Sequence, residues 1–144
     1  MKKTLLFIIA LFIIIISTLA MLLINVRNHN RILQQENAEY EYYLGRDIYG
    51  TELVTLLNKA LDNNVKYKVE KDKNNLYIGN DTNSVLIKVQ LENSEELYEM
   101  ERISNLGTEE FINLFNNCIF RSDEVTYHSQ TGKIATIVFR QITN

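Results

Sequence analysis

The chain has 144 residues, a formal net charge of −3, one cysteine, and neither proline nor tryptophan. The lone cysteine, Cys118, excludes an intrachain disulfide. The mildly acidic balance argues against nucleic acid as a partner, because phosphate binding requires a basic surface.

An uncharged apolar run extends from Thr4 to Val26 and contains no Gly or Pro. At about 1.5 Å of rise per residue, a helix of this length crosses a hydrocarbon core of roughly 30 Å. The run therefore predicts a single transmembrane helix, with the lipid bilayer as a partner. Lys2, Lys3 and the terminal amine place three charges before the run, and Arg27 and Arg31 place two, more widely spread, after it. Because the denser positive flank favours the cytoplasmic side, we expect a cytoplasmic N-terminus and an extracytoplasmic domain in the cell membrane.

A cleaved signal peptide is the alternative interpretation of this run. Leu5 to Ile16 would then form its apolar region, and Thr18-Leu19-Ala20 would supply the small residues of a cleavage site. The run stays apolar through Met21 to Ile24, where a mature N-terminus should turn polar, and this favours an uncleaved anchor. Both interpretations place the domain outside the cytoplasm.

Residues 27–46 predict a helical stalk that continues the membrane helix outward. Leu33, Tyr40 and Leu44 recur at helical spacing, so one stripe of the stalk can pack on the domain. A flexible stalk is the alternative. The predicted organisation is therefore an anchor (1–26), a stalk (27–46) and a domain (47–144).

The domain begins with an amphipathic helix. Thr51 is its predicted N-cap, and Glu52 lies in the first turn, where the helix dipole favours an anion. Asp62-Asn63-Asn64 is the predicted end of the helix. The apolar face consists of Leu53, Val54, Leu57, Ala60 and Leu61.

Alternating apolar and polar residues then predict a three-stranded antiparallel meander, followed by helices and a final hairpin. The order of elements predicts an α+β fold, in which an antiparallel sheet of about five strands carries helices on one face. The predicted segments are strands at 65–71, 76–79 and 85–91, a helix within 93–106, a helix capped by Thr108, and strands at 118–128 and 133–142.

The residue inventory argues against catalysis and against a metal or other cofactor. A metal site needs three or four ligands at workable spacing, whereas His29, Cys118 and His128 lie far apart along the chain. His128 is predicted at an exposed hairpin tip. The sequence contains no nucleophile elbow and no glycine-rich phosphate loop. We therefore predict a protein that is not an enzyme and holds no cofactor.

Two groups of residues are candidates for binding a partner. Tyrosines supply amphipathic contact area at interfaces, and four of them cluster around the end of the stalk. Packing of the stalk onto the domain is the alternative role for these tyrosines. Lysines on the strand 65–71 could contact a wall polymer or anionic headgroups, or could guard a sheet edge against aggregation. The candidate interaction residues are Tyr40, Tyr42, Tyr43, Tyr49, Lys66 and Lys68.

A hydrophobic N-terminal helix that runs into a helical stalk and ends in an antiparallel sheet resembles the layout of type IV pilins and pseudopilins. The apolar run here starts at Thr4 and holds neither the Gly nor the Glu of a prepilin cleavage motif. The segments 47–54 and 127–134 are also similar to small uncharacterised single-pass membrane proteins of Gram-positive anaerobic bacteria. The resemblance implies a pilus-like system and assigns no activity to either segment.

These observations together predict a membrane-anchored structural or interaction module of an envelope assembly, pilus- or secretion-like. Its expected partner is an envelope protein or a second copy of the chain. The alternative is an extracytoplasmic domain that binds a wall polymer or a solute, released by signal-peptide cleavage. The partner, the oligomeric state and the fate of residues 1–20 are not encoded in any recognisable motif.

Overall fold

The computed structural model describes residues 2–92 and 94–142, without the side chain of Thr108. Predictions that concern Asn93, residues 143–144 or the Thr108 cap lie outside the described residues. The chain divides into two compact units, residues 1–35 and 36–144. Its elements are α1 (Lys2–Glu41), β1 (Asp47–Tyr49), α2 (Gly50–Lys66), β2 (Leu86–Gln90), β3 (Leu97–Glu99), α3 (Met100–Leu106), α4 (Thr108–Phe115), β4 (Ile119–Tyr127) and β5 (Ile134–Ile142).

The first unit is the apolar part of α1. Its side chains are exposed throughout residues 2–32, and α1 is the one helix of the described chain that is long and apolar enough to cross a membrane. The Ser17 and Thr18 hydroxyls donate to carbonyls three residues earlier, at 2.9 and 2.8 Å, so these polar groups are satisfied within the helix. A signal sequence near the N-terminus passes the same test of length and composition.

The second unit is built on an open five-stranded sheet with the strand order β1-β4-β5-β2-β3. The predicted α+β class and the number of strands are confirmed. The sheet is mixed, because β2 and β5 run parallel with Ile87 opposite Ile137, whereas the other neighbouring pairs are antiparallel. The connection from β2 to β5 passes through β3, α3, α4 and β4, and a crossover of this length permits a parallel pair.

Helices α2, α3 and α4 pack on one face of the sheet, and the core lies between these two layers. Side chains alternate between the faces of a strand, so every second strand residue enters the core. The opposite face carries exposed ion pairs, Asp47–Arg121 at 2.6 Å and Asp123–Arg140 at 2.7 Å. The buried strand residues of the core are Ile48, Ile87, Val89, Phe120, Ile134, Ile137 and Phe139.

Helix α2 begins one residue before the predicted cap Thr51, because Tyr49 occupies the N-cap position and Gly50 is the first helical residue. Gly50 lies against the end of α4: a Cβ atom there would be 2.1 Å from the Phe115 carbonyl oxygen. The close approach therefore requires glycine. The predicted apolar face is correct in that Leu53, Val54, Leu57 and Ala60 are buried.

The predicted meander is wrong in its first two strands. The helix α2 runs on to Lys66, and Lys68 has a φ of 52°, which is incompatible with a regular strand. Residues 67–80 form a loop in which a single bridge, Lys71 to Tyr77, pairs the two sides. The Asp72 carboxylate closes the turn by accepting the Asn74 and Leu76 N–H groups at 2.8 and 2.9 Å.

The stretch expected to be helical within 93–106 contains both a strand and a helix. Leu97–Glu99 pairs with β2 as the outermost strand, and α3 begins directly after it at Met100. Met100 and Ile103 are buried on α3, so the helical part of the prediction is correct there. Leu97 is 38% exposed because it lies on β3 instead of in that helix.

Candidate functional site

The C-terminal end of α1 belongs to the second unit and is bound there by Asn37, which is 8% exposed. The Asn37 amide donates to the Gly132 carbonyl at 3.1 Å and accepts the Ile134 N–H at 3.0 Å. One side chain thus satisfies two backbone groups where the chain enters β5. Residues 36–46, which the sequence assigns to the stalk, therefore pack with the domain.

Glu36 extends the contact surface of α1, because it binds one residue at the end of α2 and one in the β4–β5 connection. The Tyr67 hydroxyl donates to Glu36 Oε1 at 2.8 Å, and Lys133 Nζ lies 2.6 Å from Glu36 Oε2. The same ammonium lies 5.1 Å from the centroid of the Tyr67 ring. The charge-assisted hydrogen bond from Tyr67 is stronger than a neutral one, and together with the Lys133 ion pair it holds the last turns of α1 against the domain.

A groove of about 300 Å³ lies beside this contact, between the end of α1 and α2. Its charges have both signs, and Lys59 Nζ lies 3.7 Å from Glu39 Oε2 across it. Such a groove can hold a polar or charged group of a partner. The lining residues are Glu36, Glu39, Tyr40, Lys59, Asp62, Asn63 and Lys66. We call it the α1–α2 groove.

The four candidate tyrosines have different environments. Tyr40 and Tyr43 are 7% and 8% exposed and belong to the core, which is the packing role that the sequence left open. Tyr42 is 63% exposed, with the Arg46 guanidinium 4.1 Å from its ring centroid and the Tyr43 ring edge-on at 5.1 Å. Tyr49 is exposed on β1. Tyr42 and Tyr49 are therefore the two candidates that a partner can reach, and their role in binding stays a prediction.

The two candidate lysines do not lie on a strand. Lys66 is the last residue of α2 and lines the α1–α2 groove together with Tyr40. Lys68 lies two residues later in the loop and lines a separate depression with Val69, Ile78 and Gly79. The structure thus brings Lys66 and Tyr40 together and leaves Lys68 apart from them.

Arg46 and Glu52 connect the exposed tyrosines. Glu52 Oε2 accepts the Tyr49 N–H at 3.0 Å, and Glu52 Oε1 lies 2.7 Å from the Arg46 guanidinium. The hydrogen bond from the Tyr49 backbone is the main reason why the pKa of Glu52 lies below its ordinary value of 4.5; the Arg46 guanidinium acts in the same direction. Arg46 Nε also donates to the Tyr42 carbonyl at 2.8 Å, so Tyr42 and Tyr49 are tied to the same pair of charges.

A second buried polar cluster lies at the start of β2. Asn64 is fully buried; its amide donates to the Val85 carbonyl and accepts the Val85 N–H, both at 2.8 Å. His128 is 5% exposed, and its Nε2 lies 2.7 Å from the Ser84 carbonyl oxygen. A carbonyl only accepts hydrogen bonds, so Nε2 carries the proton. The prediction of an exposed His128 is wrong, because the loop before β2 covers the β4–β5 connection.

Sequence reasoning did not identify Asn37, Asn64 or His128 as structural residues. Asparagine is usual in turns and at helix ends, and the chain contains many, so no local pattern distinguishes the buried ones. Asn80 stabilises the loop before β2, because its Oδ1 accepts the N–H groups of Thr82, Asn83 and Ser84, all within 3.0 Å.

Within the described residues, no group of three or more His, Cys, Asp or Glu side chains is arranged to hold a metal ion. Comparison with protein-family models, with curated proteins and with solved structures gives no match. The resemblance to pilins and to small membrane-anchored proteins therefore stays a prediction from the sequence.

Proposed function

We propose that the protein is a non-enzymatic, single-pass membrane protein whose extracytoplasmic domain is an interaction module in an envelope assembly, pilus- or secretion-like. The observation that carries the proposal is the course of α1. The helix is apolar and exposed from Leu5 to Val26 and continues unbroken to Glu41, and its last turns are bound within the domain by Asn37 and Glu36. A helix of this kind ties a fold to a membrane.

The chemistry of the polar side chains supports interaction over catalysis. His128 is buried and its ring is committed to the Ser84 carbonyl, which is a structural use of an imidazole. The exposed aromatic surface is preorganised by contrast, because Arg46 stacks on Tyr42 and pairs with Glu52. Rigid aromatic side chains cost little entropy when they bind a protein partner.

The alternative of a polymer-binding sheet face has less support. It depended on lysines presented by a strand over 65–71, and that segment is the end of α2 followed by a loop. Lysines in a loop do not form the regularly spaced row of positive charges that would bind along a polyanionic polymer.

The proposal is tested by extracting the full chain from its native membranes in mild detergent. Intact-mass measurement then reports the N-terminus, and quantitative mass spectrometry reports co-purifying proteins. We expect Met1 or Lys2 at the N-terminus, retention of the chain in membranes after alkaline washing, and one envelope protein or a second copy at fixed stoichiometry. Protease added to intact cells, after the wall is removed, should digest the domain.

Ala20→Phe is the matched control, because a bulky residue at the small position of a cleavage site blocks signal peptidase. The substitution should leave the N-terminus and the membrane retention of an anchored protein unchanged. A solitary soluble protein that starts near Met21, and that Ala20→Phe converts to a membrane-bound form, would contradict the proposal and favour a secreted binding domain.

A further inference from the structure

The charges of the chain are divided between its two compact units. Residues 1–35 hold four of the 15 basic residues and none of the 18 acidic ones. Residues 36–144 therefore hold 11 basic and 18 acidic residues, a net formal charge of −7 against +4 for the first unit. Two of the four basic residues, Arg27 and Arg31, follow the apolar run directly.

Arg27 and Arg31 are one helical turn apart on α1, so they lie on the same face of the helix with Cβ atoms about 5–6 Å apart. Both side chains are exposed, and neither guanidinium forms an ion pair or a hydrogen bond with another residue that the structure describes. Like charges at this spacing destabilise a helix unless an anion lies between them. The two guanidinium groups therefore form a site for an anion, and no acidic residue of the described chain occupies it.

The position of this pair along α1 points to a lipid phosphate, and a phosphate that no headgroup cation neutralises offers the stronger attraction. The apolar run spans about 34 Å at 1.5 Å per residue, slightly more than a hydrocarbon core of roughly 30 Å, and the headgroup layer adds about 5–7 Å on each side. Arg31 lies about 6 Å along the axis beyond Arg27. In a membrane both guanidinium groups thus fall at the depth of the lipid phosphates, where planar guanidinium groups bind phosphate oxygens bidentately.

We propose that Arg27 and Arg31 together bind the phosphate of an anionic phospholipid, and that this lipid is a specific partner of the protein. The inference rests on the proposed function, since it requires α1 to span a bilayer. It adds the lipid class and the residues that select it. The acidic domain of a second copy is the competing anion. The lipid is favoured because the arginines lie next to the apolar run, and the first acidic residue, Glu36, comes five positions later.

The test uses the full chain, reconstituted in an equimolar mixture of phosphatidylglycerol and phosphatidylcholine and then purified in mild detergent. Native mass spectrometry counts the lipids of each class that remain bound. We expect the wild-type chain to retain phosphatidylglycerol at least about fivefold over phosphatidylcholine, the effect of one basic residue near an anionic surface. Arg27→Gln/Arg31→Gln should bring this ratio close to one.

Arg121→Gln/Arg140→Gln is the matched control, since it removes the same charge from the sheet face of the domain and should leave the ratio unchanged. Arg27→Lys/Arg31→Lys keeps the charge without the planar fork and should give an intermediate ratio. An unchanged ratio in Arg27→Gln/Arg31→Gln would overturn the proposal. So would full displacement of the lipid by millimolar inorganic phosphate, or loss of a dimer in that variant without loss of lipid preference.

Membrane retention after alkaline washing is measured in parallel for every variant. Arg27→Gln/Arg31→Gln should stay membrane-bound, because the apolar run is unchanged. A wild-type chain that washes off would contradict the proposed function, whereas a bound chain without lipid preference would contradict this inference alone.

Discussion

At the scale of single residues, two asparagine side chains act as partners for strand backbone. The Asn64 amide pairs with both polar groups of Val85, and the Asn37 amide pairs with Gly132 and Ile134. Each amide lies on a helix and forms the backbone hydrogen bonds that a neighbouring strand would otherwise form at the starts of β2 and β5. Buried backbone groups need partners, and these side chains supply them where no strand reaches.

Substitution of Asn64→Leu tests this role. The leucine fills similar space and leaves the Val85 N–H and carbonyl buried without partners, and each such group costs roughly 1–3 kcal/mol. We expect the free energy of unfolding to fall by about 2–6 kcal/mol, measured by urea unfolding of the full chain in micelles with near-ultraviolet circular dichroism of the tyrosines. Asn58→Leu, at an exposed position of α2, should change it by less than about 0.5 kcal/mol. Equal effects of the two substitutions would contradict the assignment.

Glu52 makes stability depend on pH. Its pKa is lowered in the folded chain, so its contribution to stability is complete above the ordinary carboxyl value of 4.5 and is lost as the pH falls through the folded-state pKa. We expect the melting temperature of wild type to exceed that of Glu52→Gln at pH 6, and the gap to close as the pH is lowered below 4.5. Glu124→Gln, at an exposed carboxylate of β4, is the control. A gap that stays constant from pH 6 to pH 3 would disprove the assignment.

At the scale of elements, the sequence predicts those whose own residues determine them. The apolar face of α2 and the final hairpin are visible as periodicity, because each buries a regular set of side chains, whereas α1 is visible as an uninterrupted apolar run. The first two strands of the predicted meander are wrong because α2 continues past Asn64, whose side chain binds the Val85 backbone from within the helix. Such a tertiary contact leaves no local pattern. The same holds for the parallel pairing of β2 and β5.

The domain is expected to need the end of α1 for its stability. Tyr40 and Tyr43 are core residues and Asn37 binds the start of β5, so a fragment of residues 36–144 should unfold cooperatively, whereas residues 47–144 should not. Thermal unfolding and binding of a hydrophobic dye distinguish the two fragments. Residues 30–144 are the control and should match 36–144 in melting temperature. Equal stability of 47–144 and 36–144 would show that these contacts contribute nothing.

At the scale of the whole molecule, composition is the most predictable property. The apolar run and the four basic residues around it can be read directly from the sequence, as can the acidic balance of the rest. The α1–α2 groove could not be predicted, because it forms only when Tyr40 of α1 and Lys66 of α2 meet. Tyr40 and Lys66 were candidates because of their chemical types, but the sequence assigned Tyr40 to a stalk and Lys66 to a strand.

The two outer strands have a consequence for a chain that is confined to a plane. If α1 holds each copy in a membrane, as proposed, the copies diffuse in two dimensions, where the effective concentration of neighbours is high and an open strand would join one sheet to the next. β1 and β3 are each three residues long. On β1 the Tyr49 N–H donates a hydrogen bond to the Glu52 carboxylate. Beside β3 the Arg102 guanidinium pairs with Glu96 at 2.8 Å and with Glu99 at 3.2 Å. Crowded copies can therefore meet through side chains while their sheets stay separate.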